Sequence, residues 1–272
     1  MKRQTFALCG CPRSGTTWLH NSLIAAGRFR GIPGDDSASA SRDLLVTDEN
    51  QYSHALLVRL AGGATGVSSL ACRCLLAILK GALTARFGGS ADMMLKSPYY
   101  SFLADVMFRC EFAQKFTYIR RNIDSVALSM LNHGFLSSQI RGDINHFSSM
   151  IVNGVNLEIR HIPEPIATEF TERYAMLSAF DRALFKCLCF GSAFATLRRC
   201  IPPHAVFVLR YESLLTDRDH QEVFCDFLEL SERQRSSVIS SFRDGAGAYP
   251  SLPVHDAEFR QKILDAEASL WE

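Results

Sequence analysis

The residues with the most evident chemistry lie in one short run, Gly10-Cys11-Pro12-Arg13-Ser14-Gly15-Thr16-Thr17-Trp18. Gly10 and Gly15 stand at the spacing of a phosphate-binding loop, and Thr17 holds its hydroxyl position. Such a loop wraps backbone N–H groups around phosphate oxygens at the start of a helix. The position that carries lysine in nucleoside triphosphatases holds Thr16, and the basic residue is Arg13, three places earlier. A triphosphate enzyme also supplies an acidic group for Mg²⁺ after another strand. The other strand ends here offer bases: Lys96, Arg120-Arg121 and Arg210. The chemistry this pattern fits is the binding of a multiply anionic ligand held by cations and amides, with no metal required.

Those groups need a scaffold that brings them to one edge. Four short apolar runs, Thr5–Cys9, Met93–Lys96, Lys115–Arg120 and Ala205–Arg210, read as buried parallel strands. Helical patterns separate them, at about 16–26, 51–61, 67–87, 99–109, 122–133, 167–200, 219–229 and 256–270. The alternation predicts an α/β fold: a P-loop-like parallel β-sheet flanked by helices. Ligands of such sheets bind beyond the carboxyl ends of the strands, where all four runs deliver a cation. Residues 135–165 are polar, contain Pro163 and Pro165, and are expected to form a helical or loop cap over an acceptor pocket, with helix 67–87 as a second wall. Gly31–Ser41 reads as a loop leaving the first helix. No linker or repeat divides the chain, so residues 1–272 are expected to form a single domain.

Composition excludes several classes. Of 272 residues 47% are hydrophobic and 21% charged, enough for a core and unlike a disordered chain. The net charge of +1 indicates no nucleic-acid surface. No segment has the length of a membrane span, and Pro12-Arg13 cuts short the N-terminal apolar run, so no signal peptide is expected. The nine cysteines, an odd number, fit reduced thiols in the cytoplasm. The pairs Cys9/Cys11, Cys72/Cys74 and Cys187/Cys189 lack metal-site spacing and are expected to be structural; the last two sit in apolar stretches that read as buried helices.

Pro12-Arg13-Ser14-Gly15-Thr16-Thr17-Trp18 resembles the 5′-phosphosulfate loop of the sulfotransferases that use 3′-phosphoadenosine 5′-phosphosulfate (PAPS). Tyr118-Ile119-Arg120-Arg121-Asn122-Ile123-Asp124-Ser125-Val126-Ala127-Leu128-Ser129 resembles their 3′-phosphate motif, in which a strand-end Arg is followed eight residues later by a Ser, here Arg121 and Ser129. Leu209-Arg210-Tyr211-Glu212-Ser213-Leu214-Leu215 is similar to the stretch whose Tyr lies by the adenine, and Leu95-Lys96-Ser97-Pro98 to the family's lysine-bearing strand end. The pattern looks closer to the branch that reads Pro-Arg-Ser-Gly-Thr-Thr, which includes protein-tyrosine sulfotransferases and many bacterial enzymes. The His that follows the second strand in cytosolic small-molecule enzymes is absent; Ser97 and Pro98 follow Lys96 instead.

The resemblance implies an enzyme that transfers a sulfonate group from PAPS to a hydroxyl or amine of a small-molecule acceptor and releases 3′-phosphoadenosine 5′-phosphate (PAP). It puts Arg13 and Lys96 at the transferring sulfonate, and Ser14, Gly15, Thr16 and Thr17 around the 5′-phosphate. Arg121 and Ser129 are put at the 3′-phosphate, and Trp18 and Tyr211 near the adenine. Arg120, on the opposite face of its strand, is expected to be structural. A carboxylate about twenty residues past the loop often acts as general base in that branch, which makes Asp36 and Asp35 the candidates, with His133 and His54 as rivals. The expected partners are the small-molecule acceptor, with no nucleic acid and no membrane span, and a homodimer as the candidate assembly. The competing readings are a kinase-like P-loop enzyme and a non-catalytic PAP-binding module.

Overall fold

A computed structural model of the chain describes residues 4–31, 73–74, 76–78, 80–81, 85, 92–133, 159–242, 252–253 and 255–272, and the backbone of 151–152 and 155–156. Asp35, Asp36, His54 and helix 51–61 lie outside the described residues, as do most of helix 67–87 and of the proposed cap.

The apolar runs form the strands of one parallel sheet. β1 is Thr5–Gly10, β2 Phe29–Arg30, β3 Asp92–Lys96 and β4 Lys115–Arg120. A two-residue antiparallel pair follows, β5 (Ile151–Val152) and β6 (Val155–Asn156), and then β7, Val206–Arg210. The main sheet runs in the order β2-β3-β1-β4-β7, with every pairing parallel. β1 is buried along its whole length, as a central strand covered on both faces must be. The order turns around at β1, flanked by β3 and β4, so the crevice beyond its carboxyl end is the topological switch point.

Helices cover both faces. On one side lie α1 (Thr16–Ala25), α6 (Tyr211–Thr216), α7 (Arg218–Phe227) and α8 (Glu232–Ser241). Their apolar faces share a core with Phe6, Leu8, Met94, Ile119 and Leu209. On the other lie α2 (Ala104–Arg109), α3 (Ile123–Asn132), α4 (Glu164–Arg173), α5 (Ala179–Leu197) and α9 (Ala257–Ser269), packed on Ala7, Cys9, Met93, Phe116 and Tyr118. Alternating residues of β1 and β4 divide between the two cores, which is the period-two rule of a pleated strand.

Four expectations are revised. The predicted helix 167–200 is two helices, because Ser178 and Asp181 form a capping box that starts α5 afresh after the turn at 174–178. Helix 99–109 is a 3₁₀ turn at Pro98–Phe102 followed by α2. α8 lies where the sequence shows no apolar helical period, because it is mostly polar, and a Ser231/Gln234 capping box initiates it. Cys74, expected to be buried, is exposed.

Candidate functional site

The loop after β1 is shaped by its backbone. Gly15 has φ +103, and a Cβ there would stand 2.9 Å from Tyr211 Cε2, so only glycine fits. Arg13 has φ +71, a left-handed conformation costing an L-residue on the order of 1–2 kcal/mol, which this packed loop sustains. α1 opens with Gly15 as N-cap, no side-chain cap and no acidic residue in its first turn. Its first N–H groups have no intrahelical partner and carry the positive end of the helix dipole. Beside them Ser14 is 1% exposed, and its buried hydroxyl meets no hydrogen-bond partner among the described residues. A buried hydroxyl without a partner is costly, and an oxyanion seated in the loop would satisfy it.

The strand ends bring cations to this loop. Lys96, at the end of β3, donates to Thr17 Oγ1 at 2.6 Å. Arg121, just past β4, donates to the Arg13 carbonyl at 3.4 Å, and its guanidinium carbon lies 4.3 Å from the Tyr211 ring centroid. Partial burial lowers the Arg121 pKa, offset by Tyr211 and Glu212, and the nearby Arg13 charge lowers it further. An anion between the two guanidinium groups would relieve that repulsion. Arg13 Nε faces Ser129 Oγ at 3.4 Å, and its Nη2 donates to His133 Nε2 at 2.6 Å. A guanidinium has no acceptor, so His133 must present a lone pair at Nε2 and carry its proton on Nδ1, which lies 2.9 Å from the Ser129 carbonyl. Both ring nitrogens of His133 are thus engaged.

Arg13, Ser14, Gly15, Thr16, Thr17, Lys96, Arg121 and Ser129 therefore gather at one sheet edge, together with His133. Tyr211 and Trp18 stand below the loop. Tyr211 is buried between Gly15 and Arg121, and Trp18 packs against Tyr211 and Phe242 with ring centroids 5.9 and 5.5 Å apart. Arg210 ends β7 and is exposed. Arg120 points the other way and forks onto Glu267 at 2.8 and 2.9 Å.

Two neighbours of the site escaped the sequence reading. His20, on the turn of α1 after Thr17, is buried, with Nε2 3.3 Å from the Met94 carbonyl. Burial, and then the Lys96 charge, lower its pKa to about 4, so it is neutral near pH 7. Lys186, buried on α5, puts its charge close enough to Cys11 to oppose the rise that burial imposes on that thiol. The available signal for Lys186 was a lysine inside an apolar helix. Cys11 and Cys187 bring their sulfurs within 3.6 Å. No cluster of three metal-ligating side chains occurs among the described residues.

The described residues gather positive charge at the loop, with Arg13 reaching Ser129, Arg121 at the Arg13 carbonyl and Lys96 at Thr17, and so suit an anionic ligand. No curated protein matches the chain. Among solved structures, the sulfotransferase domain from the curacin biosynthetic pathway is similar at 13% identity and TM-score 0.51, covering 98% of this chain and 98% of that one. The sulfotransferase STF9 from Mycobacterium avium is similar at 12% identity and TM-score 0.55, covering 99% of this chain and 76% of its own. At these identities the likeness shows the fold. The family model for the sulfotransferase domain matches residues 3–243, most of the chain and all the site residues just described. The chain belongs to the sulfotransferase domain family.

Proposed function

We propose that the chain transfers a sulfonate group from PAPS to a hydroxyl or amine of a small-molecule acceptor, releasing PAP. The observation that carries this reading is the meeting of Lys96 with Thr17 and of Arg13 with Ser129 around an uncapped helix N-terminus. In the reaction the acceptor heteroatom bonds to sulfur as the bond from sulfur to the bridging oxygen breaks in line. The electron pair of that bond leaves on the 5′-phosphate of PAP, and the acceptor's proton goes to the general base. The loop amides with Ser14, Thr16 and Thr17 hold the 5′-phosphate. Lys96 and Arg13 offset charge on the bridging oxygen and sulfonate, which is electrostatic stabilisation where charge develops. Arg121 and Ser129 bind the 3′-phosphate, and no metal ion takes part. Trp18 and Tyr211 support the adenine end from beneath the loop.

The test is thermal stability with nucleotides. PAP should raise the Tm without Mg²⁺, and ADP, which lacks the 3′-phosphate, should do so less. Stabilisation by ATP·Mg²⁺ with no response to PAP would sink the proposal. The base is assigned to Asp36 or Asp35, with Asp36 favoured. One of Asp36→Asn and Asp35→Asn should lower kcat by roughly 10²-fold or more and leave PAP affinity unchanged, the scale of general-base catalysis. Loss of activity in His133→Ala or His54→Ala, with both Asp variants fully active, would move the role to histidine.

A further inference from the structure

Arg121 occupies the two-residue turn, Arg121-Asn122, between β4 and α3, and its aim depends on what holds that turn. The residue before it, Arg120, forks onto Glu267 at 2.8 and 2.9 Å, and Glu267 Oε1 also accepts from Trp271 Nε1 at 2.7 Å. The Trp271 ring lies 5.2 Å from the Tyr118 ring of β4, with the Arg120 guanidinium 5.5 Å from it. Three residues after Arg121, Asp124 in the first turn of α3 receives a second fork, from Arg260 at 2.8 and 2.6 Å. Glu267 and Arg260 both belong to α9 and Trp271 follows it; all three lie beyond residue 243, where the family match ends. α9 itself is seated by Phe259 and Ile263, which are fully buried. Glu267 and Trp271 share with Ser14 and Arg121 the wall of one small cavity of about 20 Å³ beneath the turn.

We propose that α9 is a positioning element of the donor site: Glu267 and Arg260, forked onto Arg120 and Asp124, fix the turn that aims Arg121. The inference rests on the reading that Arg121 meets the 3′-phosphate. A bidentate Arg–carboxylate pair sets orientation as well as distance, and the two forks stand on either side of the turn. Both pairs are largely shielded, with side-chain exposures of 26% and 14% for Arg120 and Glu267 and of 24% and 14% for Arg260 and Asp124, so water and salt loosen them little. Between them the Asn122 N–H donates to Glu212 at 2.9 Å, and the Asn122 side chain caps α3. With its neighbours held, Arg121 has little freedom beyond its own side chain, and the entropy of ordering it is met in folding instead of in binding.

The test is calorimetric affinity of the full chain for PAP and for ADP. Glu267→Gln keeps the shape and removes the charge; it should lower PAP affinity about tenfold, within the range for residues that act through another, and change ADP affinity less than twofold. Arg260→Gln should act the same way through the other fork, and Arg260→Lys, which keeps charge without the fork, covers a failure of either to fold. In an Arg121→Ala background Glu267→Gln should change PAP affinity no further, because the group it positions is gone. Unchanged PAP-to-ADP preference in these variants, equal loss of both nucleotides, or a Glu267→Gln effect that persists without Arg121 each overturns the proposal. If the unaltered protein shows no preference for PAP over ADP, the donor reading itself fails and the inference falls with it.

Discussion

Arg120, the last residue of β4, and Arg121, the first after it, are neighbours in sequence but face different surroundings. Arg120 turns to the C-terminal helix, where a carboxylate and an indole enclose it. Arg121 turns to the phosphate loop, where it donates to the Arg13 carbonyl, lies over the Tyr211 ring and feels the Glu212 carboxylate as well as the Arg13 charge. The pleat alone sends neighbours to opposite faces, and the rest follows from what each face offers. A guanidinium matched by a carboxylate fork is a structural part; one set against a second guanidinium beside a helix N-terminus is poised for an anion. A chain of net charge +1 can thus hold a strongly positive site, because the surplus is local.

The sharpest way to break the comparison is to truncate each arginine. Arg121→Ala should weaken PAP binding by about 2–3 kcal/mol, the scale of a charge-assisted pair, with little change for ADP. Arg120→Ala should cost clearly less PAP affinity, acting only through the turn, and should lower the Tm. Equal losses of PAP affinity in calorimetry would mean that the two faces do not divide the work.

The loop flank has a steric counterpart to this test. Gly15→Ala would force a methyl to within 2.9 Å of the Tyr211 ring at φ +103. It should destabilise the fold by about 1–3 kcal/mol, the scale for backbone strain, and displace Arg121 through the ring it covers. A melting curve and a PAP titration that both match the unaltered protein would show that the loop tolerates what its packing forbids.

The extent to which this was legible in the sequence differs between the parts. Strands β1, β3, β4 and β7 were readable to within a residue because buried parallel strands are unbroken apolar runs. β2 was not, since two residues carry no period. The break before α5 was hidden because its flanks are apolar, although Ser178 and Asp181 carry the start signal. The cations of the site could be gathered from sequence because the strand-end rule relates residues far apart in the chain, such as Lys96 and Thr17. Nothing of that kind links Arg120 to Glu267, 147 positions away, or His20 to Lys96. Those pairings follow from helix docking, which no local pattern encodes.

Acidification should separate the two flanks by the smallest of these effects. On the loop flank His20 has a folded pKa near 4 against an ordinary value of 6.5, from burial and the Lys96 charge. The unfolded chain therefore binds more protons than the folded one between those values, and stability falls as pH drops through that window. From pH 7 to 5 the loss attributable to His20 is about 1–2 kcal/mol by linkage. His161, in the turn before α4, is lowered to about 4 by burial and Arg160 and adds a similar slope of its own. On the C-terminal flank the carboxylates respond in the same sense but in a lower pH window. Asp256 is held low by the Phe259 N–H and Arg173, and Glu169 by Lys262 and Arg173. Their contribution is complete above the ordinary carboxylate range and fades only as pH falls below it. Hydrogen exchange at pH 5 and pH 7, corrected for the intrinsic rate, should then show α1 losing protection while α9 keeps its own. His20→Asn should flatten the pH slope of the melting temperature and remove the loss in α1 alone. If α9 opens first, or if the slope survives in His20→Asn undiminished, the acid-sensitive flank is not the one that carries the phosphate loop.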